Sequence, residues 1–329
     1  MPRLLRVLLV TALLGAALTG CDDATAVVPG RAGAAVGEGA VPSAGPVPGA
    51  SLPIAALEPT LADYQRIQRA RLLLARRCMA RLGIDLAVPT VRPVRHPGAT
   101  AAAAVGAFDD REPARYGYRG PVGYQSDLFT GAVRGLTKAL VVPEPGVAAF
   151  DGSVAEFRGV AVPAGGCEGE TRRALDTPAG SELRAAIGDE RVVPWTAFAE
   201  LEQAAAAKLA ADDRYRRAQR RWSGCMARSG YHYPETTAAE GDGRWATSVS
   251  VTDEEPEREV SAVEIATAVA DERCRAEVGL PQLSASLLAG YQTELIRREE
   301  ERLRRVRRLL DLQLASAARV TGAGGGAAR

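Results

Sequence analysis

Five cysteines carry most of the chemistry that residue types offer in this chain of 329: Cys21, Cys78, Cys167, Cys225 and Cys274. The last four fall into a short internal repeat. Cys78-Met79-Ala80-Arg81-Leu82-Gly83 recurs as Cys225-Met226-Ala227-Arg228-Ser229-Gly230, and each copy sits at the end of a predicted helix. A second cysteine follows each copy with a glutamate three residues beyond it, Cys167 with Glu170 and Cys274 with Glu277. Thiols in such numbers form disulfides, hold a metal or act as nucleophiles. A structural zinc site wants paired cysteines or clustered histidines. This chain has no Cys-x-x-Cys and only His96 and His232. Four cysteines allow three pairings, and the repeat favours Cys78–Cys167 with Cys225–Cys274. Closing loops of about 90 and about 50 residues would stabilise the fold by ~4–4.7 kcal/mol each on a chain-entropy model, less any native strain.

Other chemistry finds little support. There is no Gly-x-Ser-x-Gly elbow, phosphate-binding loop or His-Glu-x-x-His helix. Asp109-Asp110 and Asp212-Asp213 lack calcium-loop spacing and read as solvated charge, and Asp253-Glu254-Glu255 reads as a loop before a helix. Tyr231-His232-Tyr233 reads as packed residues of a strand-like run rather than the lining of a cleft, and His96 is assigned no role. No catalytic, cofactor-binding or metal-ligating residue is assigned, and no cofactor is expected. A carboxylate pair within the long segment 84–166 would make the protein a hydrolase, although nothing in the sequence selects such a pair.

The first residues read as an address. Arg3 and Arg6 precede an apolar run from Val7 to Leu18 that is too short for a permanent span, which needs ~20 residues. The run ends in Leu18-Thr19-Gly20-Cys21, which resembles the lipobox of bacterial lipoproteins. That resemblance implies a signal peptide over residues 1–20, diacylglycerol on the Cys21 thiol, cleavage before it, and a protein held on the extracytoplasmic face of the cell membrane. Two acyl chains at ~0.8 kcal/mol per buried methylene make a firm anchor. Export also places the other four cysteines where disulfides persist.

Composition divides the rest of the chain. Residues 21–58 are mostly Ala, Gly, Val and Pro and read as lipid anchor and disordered stalk. As a flexible coil the stalk would reach on the order of 35 Å. The body, 59–285, is expected to be mainly α and to duplicate a helix-plus-disulfide unit: long helices, two disulfides, and a large irregular insertion at about 84–166 with short strands within it. Helices are predicted over 60–82, opened by Thr60 with Asp63 and closed by Gly83; over 196–229, broken near Asp212; and over 262–278, opened by Ser261 with Glu264. Gly279 and Pro281 read as its stop. A final amphipathic helix is predicted over 286–319 and a disordered tail over 320–329. Leu288, Tyr291, Leu295, Leu303, Val306, Leu310 and Leu314 form the apolar stripe of that helix, and seven arginines and three glutamates crowd residues 297–308. Packing on its own core is the favoured reading. The rival is a helix that meets a protein partner or an envelope polymer.

Charge is nearly balanced, 41 basic against 40 acidic residues, so nothing draws the whole chain to nucleic acid. Only Lys138 and Lys208 are lysines, a bias that fits high-GC coding. The body resembles lipoproteins and secreted proteins of high-GC actinobacteria over most of residues 60–280, through the Cys-Met…Gly helix end, Gly165-Gly166-Cys167 and the Ala-Asp-x-x-Cys that ends at Cys274. The resemblance implies an envelope setting and disulfides, and no specific activity. The expected function is therefore a lipid-anchored accessory or binding protein, with an envelope hydrolase as the alternative.

Overall fold

Thr60 opens the first helix, α1 (Leu61–Arg81), with a complete capping box: its side chain accepts from the Asp63 amide while Asp63 accepts from the Thr60 backbone. The structure, a computed structural model, describes residues 52–89, 94–108, 111–132, 134, 140–188, 194–245 and 259–322. Among these it is mainly helical, with one two-stranded hairpin and two cystine bridges. The signal peptide, Cys21, most of the stalk, Asp109-Asp110 and Asp253-Glu254-Glu255 lie outside the described residues.

The segment 84–166 is more ordered than its turn-rich sequence suggests. It holds α2 (Ala99–Val105), α3 (Pro113–Tyr116), α4 (Tyr124–Ala132), a 3-10 turn at Glu144–Gly146, α5 (Val147–Asp151), and the antiparallel strands β1 (Glu156–Phe157) and β2 (Val160–Ala161). Asp127 on α4 is buried and accepts the backbone N–H groups of Arg95 and His96, which ties the preceding loop down. Then comes α6 (Gly166–Ile187), a helix that its sequence does not predict, because paired glycines open it and Thr177-Pro178 kink it.

The predicted helix over 196–229 is two helices, α7 (Thr196–Ala211) and α8 (Asp213–Arg228). Asp212 ends one and caps the other, accepting from the Arg214 amide and from the Tyr291 hydroxyl. Its reading as solvated charge is thus corrected, whereas Asp213 is exposed. After the short α9 (Thr236–Glu240) comes α10 (Ala262–Glu277), capped by Ser261. The final stretch also differs from its prediction. Gly279 and Pro281 do not only stop α10; they start α11 (Leu280–Arg298), with Gly279 as N-cap and Pro281 in the first turn. Glu299 then separates α11 from α12 (Glu300–Gly322), which carries helix to Gly322.

Tertiary packing uses the predicted apolar stripe. Leu303, Val306 and Leu310 of α12 join Ile67 of α1, Leu175 of α6 and Phe198 of α7 in one core, so α12 buries its apolar face within the chain. Residues 52–58 belong to this body rather than to a stalk. Ile54 is fully buried, its amide donates to Gln292 Oε1, and Arg307 donates to the Leu57 carbonyl. Burying the Ile54 side chain contributes about 1.5–3 kcal/mol toward docking this segment, and the two long-range hydrogen bonds help to offset the entropy of ordering it.

One close approach sets where α6 begins. Gly166 has φ +68°, and a Cβ there would fall 2.3 Å from the Phe150 carbonyl oxygen and 2.4 Å from the Gly152 nitrogen. The end of α5 and the start of α6 therefore meet backbone to backbone, which seats Cys167 opposite Cys78. Gly166→Ala should cost about 2–5 kcal/mol through left-handed strain and overpacking. Urea unfolding measures it, and a midpoint equal to the parent's would contradict this packing.

Candidate functional site

The repeated Cys-Met units form the same helix exit twice. In the first, Gly83 (φ +73°) donates to Ala80 O and Ile84 donates to Met79 O. In the second, Gly230 (φ +85°) donates to Ala227 O and Tyr231 donates to Met226 O. Both are Schellman motifs, and both need glycine at the left-handed position. Cys78 bonds to Cys167 and Cys225 to Cys274. The glutamates three residues beyond then find the repeated arginines. Arg81 Nη2 meets both Glu170 oxygens at 2.7 and 2.6 Å, and Arg228 Nη2 meets Glu277 Oε1 at 2.7 Å. Each exit is thus clasped by a disulfide and an ion pair.

The likeness stops at the clasp. In the second unit α8 and α10 run in the same sense, since Trp222 with Asp271, Cys225 with Cys274 and Arg228 with Glu277 advance together. In the first, Cys167 lies in the first turn of α6, which runs back along α1: Arg71 pairs with Glu168, and Ile67 shares a core with Leu175. The exit and its clasp are common to the two units, and the direction of the tied helix is not.

Running back along α1 gives α6 a cavity. It is lined by Ile67, Gln68 and Arg71 of α1, by Glu168, Arg172, Leu175 and Arg184 of α6, by Pro194 and Trp195 before α7, and by Gln313 of α12. Two of the lining residues, Arg184 and Gln313, belong to a buried triad with Asp176. Asp176 accepts from Arg184 Nε at 2.6 Å, from Arg184 Nη2 at 3.0 Å and from Gln313 Nε2 at 2.6 Å. The break at Thr177-Pro178 lies between Asp176 and Arg184, and Thr177 sits at φ 64°, a strained value for a β-branched residue. The kink lets a residue eight positions on reach back, where a straight helix would separate the pair by about 12 Å. Trp195 stands edge-on to Tyr64, ring centres 5.6 Å apart. The lining residues come from separate stretches of the chain, and an arginine-rich sequence offers no signal that would single them out.

Two other ionisable clusters are structural. Asp271, fully buried, accepts from Trp222 Nε1, the Tyr118 hydroxyl and Arg275, and Arg275 also donates to Glu240 and to Gly106 O. With both carboxylate oxygens engaged, Asp271 of the Ala-Asp-x-x-Cys segment binds the segment 84–166 to the second clasp. Burial beside Asp271 pushes the Tyr118 phenol far above its ordinary range. At the other end Glu58 and Glu202 share Arg134, at 2.7 and 2.6 Å, and Tyr64 donates to Glu58. Burial outweighs the guanidinium and pushes the Glu58 carboxyl up to about 7. With an arginine between them, these glutamates form an ion-pair node rather than an acid–base pair.

The remaining sequence candidates are peripheral. His232 is exposed in a coil, with Tyr231 and Tyr233 half-buried against the second core, so the strand reading is corrected. His96 rests 5.5 Å from the Tyr124 ring. Among the described residues no group of three or more His, Cys, Asp or Glu could hold a metal, and no helix is long and apolar enough to cross a membrane.

The two parts of a clasp should differ in weight. Replacing Cys225 and Cys274 together by alanine should cost about 2–5 kcal/mol. Arg228→Ala should cost under about 1 kcal/mol, because both ends of its ion pair are more than half exposed. Equal losses in denaturant unfolding would contradict that order. Glu58 predicts a pH effect. Its folded-state value lies above the ordinary 4.5, so its stabilisation is full below that pH and is lost as pH rises through about 7. Glu58→Gln should therefore flatten the fall in unfolding free energy between about pH 5 and about pH 8, and an unchanged slope would contradict the assignment. No protein-family model, curated protein or solved structure matches the chain.

Proposed function

We propose that the protein is a lipid-anchored, extracytoplasmic accessory or binding protein of the cell envelope. The pair of clasped helix exits carries this reading. Two cystines closing long loops belong to an oxidising compartment, and they follow a lipobox-like segment ending at Cys21. Docking of residues 52–58 onto the core fits a body tethered through the chain that precedes them. On such a scaffold the cavity between α1, α6 and α12 is the binding site. The apolar stripe of α12 is spent in the core, so a protein or polymer partner of that helix would meet its arginine- and glutamate-rich outer face.

The hydrolase alternative draws less support. Asp127, the buried carboxylate of the described part of 84–166, is occupied by two backbone amides. Membrane fractionation tests the anchor. Cys21→Ala should move the protein from the membrane fraction to the soluble extracytoplasmic fraction, and retention on membranes would overturn the proposal.

A further inference from the structure

Arginine is spread along the helices, but its neutralisation is not. On the end of α11 and on α12 a carboxylate stands one turn from each of several arginines: Arg298 pairs with Glu294, Arg304 with Glu300, Arg305 with Glu301 and Arg307 with Asp311. On α8 the pattern fails, since that helix carries six arginines and, in Asp213, one carboxylate. At about 100° per residue, Arg214, Arg217, Arg220, Arg221 and Arg228 fall within an arc of about 120°, and all five are exposed. Arg214 is paired with Asp212 and Arg228 with Glu277, whereas Arg217, Arg220 and Arg221 make no ion pair or hydrogen bond among the described residues.

Gly224 lies inside the same arc. A Cβ there would meet nothing within 4 Å, and an open groove is lined by Gly224 with Arg221, Arg228, Glu277 and Val278. The missing side chain leaves a notch between two guanidiniums, whose forked donors suit the oxygens of a phosphate.

The chain that leads from Cys21 enters the body beside this helix. Leu52, where the described residues begin, is buried with Ala205 and Leu209 of α7 and with Leu287 and Leu288 of α11, and Tyr215 of α8 packs against that cluster. Residues 21–51 reach roughly 30 Å as a coil, and α8 is about 24 Å long. A membrane that held Cys21 would thus lie within reach of the whole helix. Resting on the lipid-anchored reading above, we propose that the arginine face of α8 docks on the anionic phospholipid headgroups of that membrane. Arg217, Arg220 and Arg221 meet headgroup phosphates, and one phosphate enters the Gly224 notch beside Arg228. The body then lies on the membrane instead of standing off at the end of its tether.

Arginine footprinting tests this on the full-length mature protein purified from membranes. The protein is mixed with vesicles of phosphatidylcholine alone, or of phosphatidylcholine and phosphatidylglycerol in equal parts, and phenylglyoxal adducts are mapped by peptide mass spectrometry. On the anionic vesicles Arg217, Arg220 and Arg221 should react at least about fivefold more slowly than on the neutral ones, and about 0.5 M salt should remove the difference. Arg304, paired within α12, should react alike on both. Replacing Arg217 and Arg221 together by alanine should abolish the protection of Arg220, while unchanged Arg304 reactivity and intact cystines report that the fold is kept. Equal reactivity of the α8 arginines on the two kinds of vesicle overturns the proposal. Low reactivity already on phosphatidylcholine also overturns it, because the face would then be covered by the chain itself, for example by the acidic run Asp253-Glu254-Glu255. Protection by soluble poly(glycerol phosphate) without protection on the anionic vesicles overturns it in favour of an envelope polymer. Flotation with phosphatidylcholine vesicles reports the anchor alone. A chain that fails to float there has lost the anchor, and its footprint on anionic vesicles still decides the docking face.

Discussion

A disulfide in the last turn of a helix decides two things at once: where that helix must end, and which element lies against its end. In this protein the decision is made twice, by two six-residue segments that differ only at Leu82 and Ser229. The cysteine supplies the covalent tie, the glycine five positions on turns the chain into the left-handed region, and the arginine between them reaches a glutamate on the tied helix. The covalent part outweighs the rest, since the ion pairs stand at the surface. Core packing then grows around each clasp: Met79, Leu82 and Ile84 with Cys167 in one, and Trp222, Met226 and Trp245 with Cys274 in the other.

What lies beyond the clasps depends on the direction of the tied helix. In the second unit α10 accompanies α8, and the Asp271 network fills the space between their facing side chains. In the first unit α6 doubles back along α1, α12 lies across both, and the kink at Thr177-Pro178 turns Asp176 and Arg184 toward Gln313. The cavity is the space this bent helix leaves. Its polarity comes from long side chains of α1, α6 and α12.

Local signals in the sequence are legible wherever a residue acts on its own neighbours. The Thr60 and Ser261 caps, the Gly83 and Gly230 exits and the break at Asp212 all work within a few positions, and the structure carries each of them. The two cystines lie between the cysteines that the repeat sets in order. Signals that depend on distant contacts are not legible. Gly279-Leu280-Pro281 can end one helix or start another, and only the burial of Leu280 and Pro281 in the fold selects the start. Ile54 looks like stalk until Gln292 accepts its amide from across the chain. The opening of α6 reads as a loop because its glycines serve a close approach to Gly152. The cavity residues span positions from 67 to 313 and include arginines that resemble every other arginine in the chain.

That each Cys-Met helix exit is tied to its own later cysteine is the claim on which the fold and the cavity both rest. Peptide mapping of the oxidised protein without reduction tests it most directly. Digestion should release two cross-linked peptide pairs, Cys78 with Cys167 and Cys225 with Cys274. A peptide joining Cys78 to Cys225, or Cys167 to Cys274, would contradict the account.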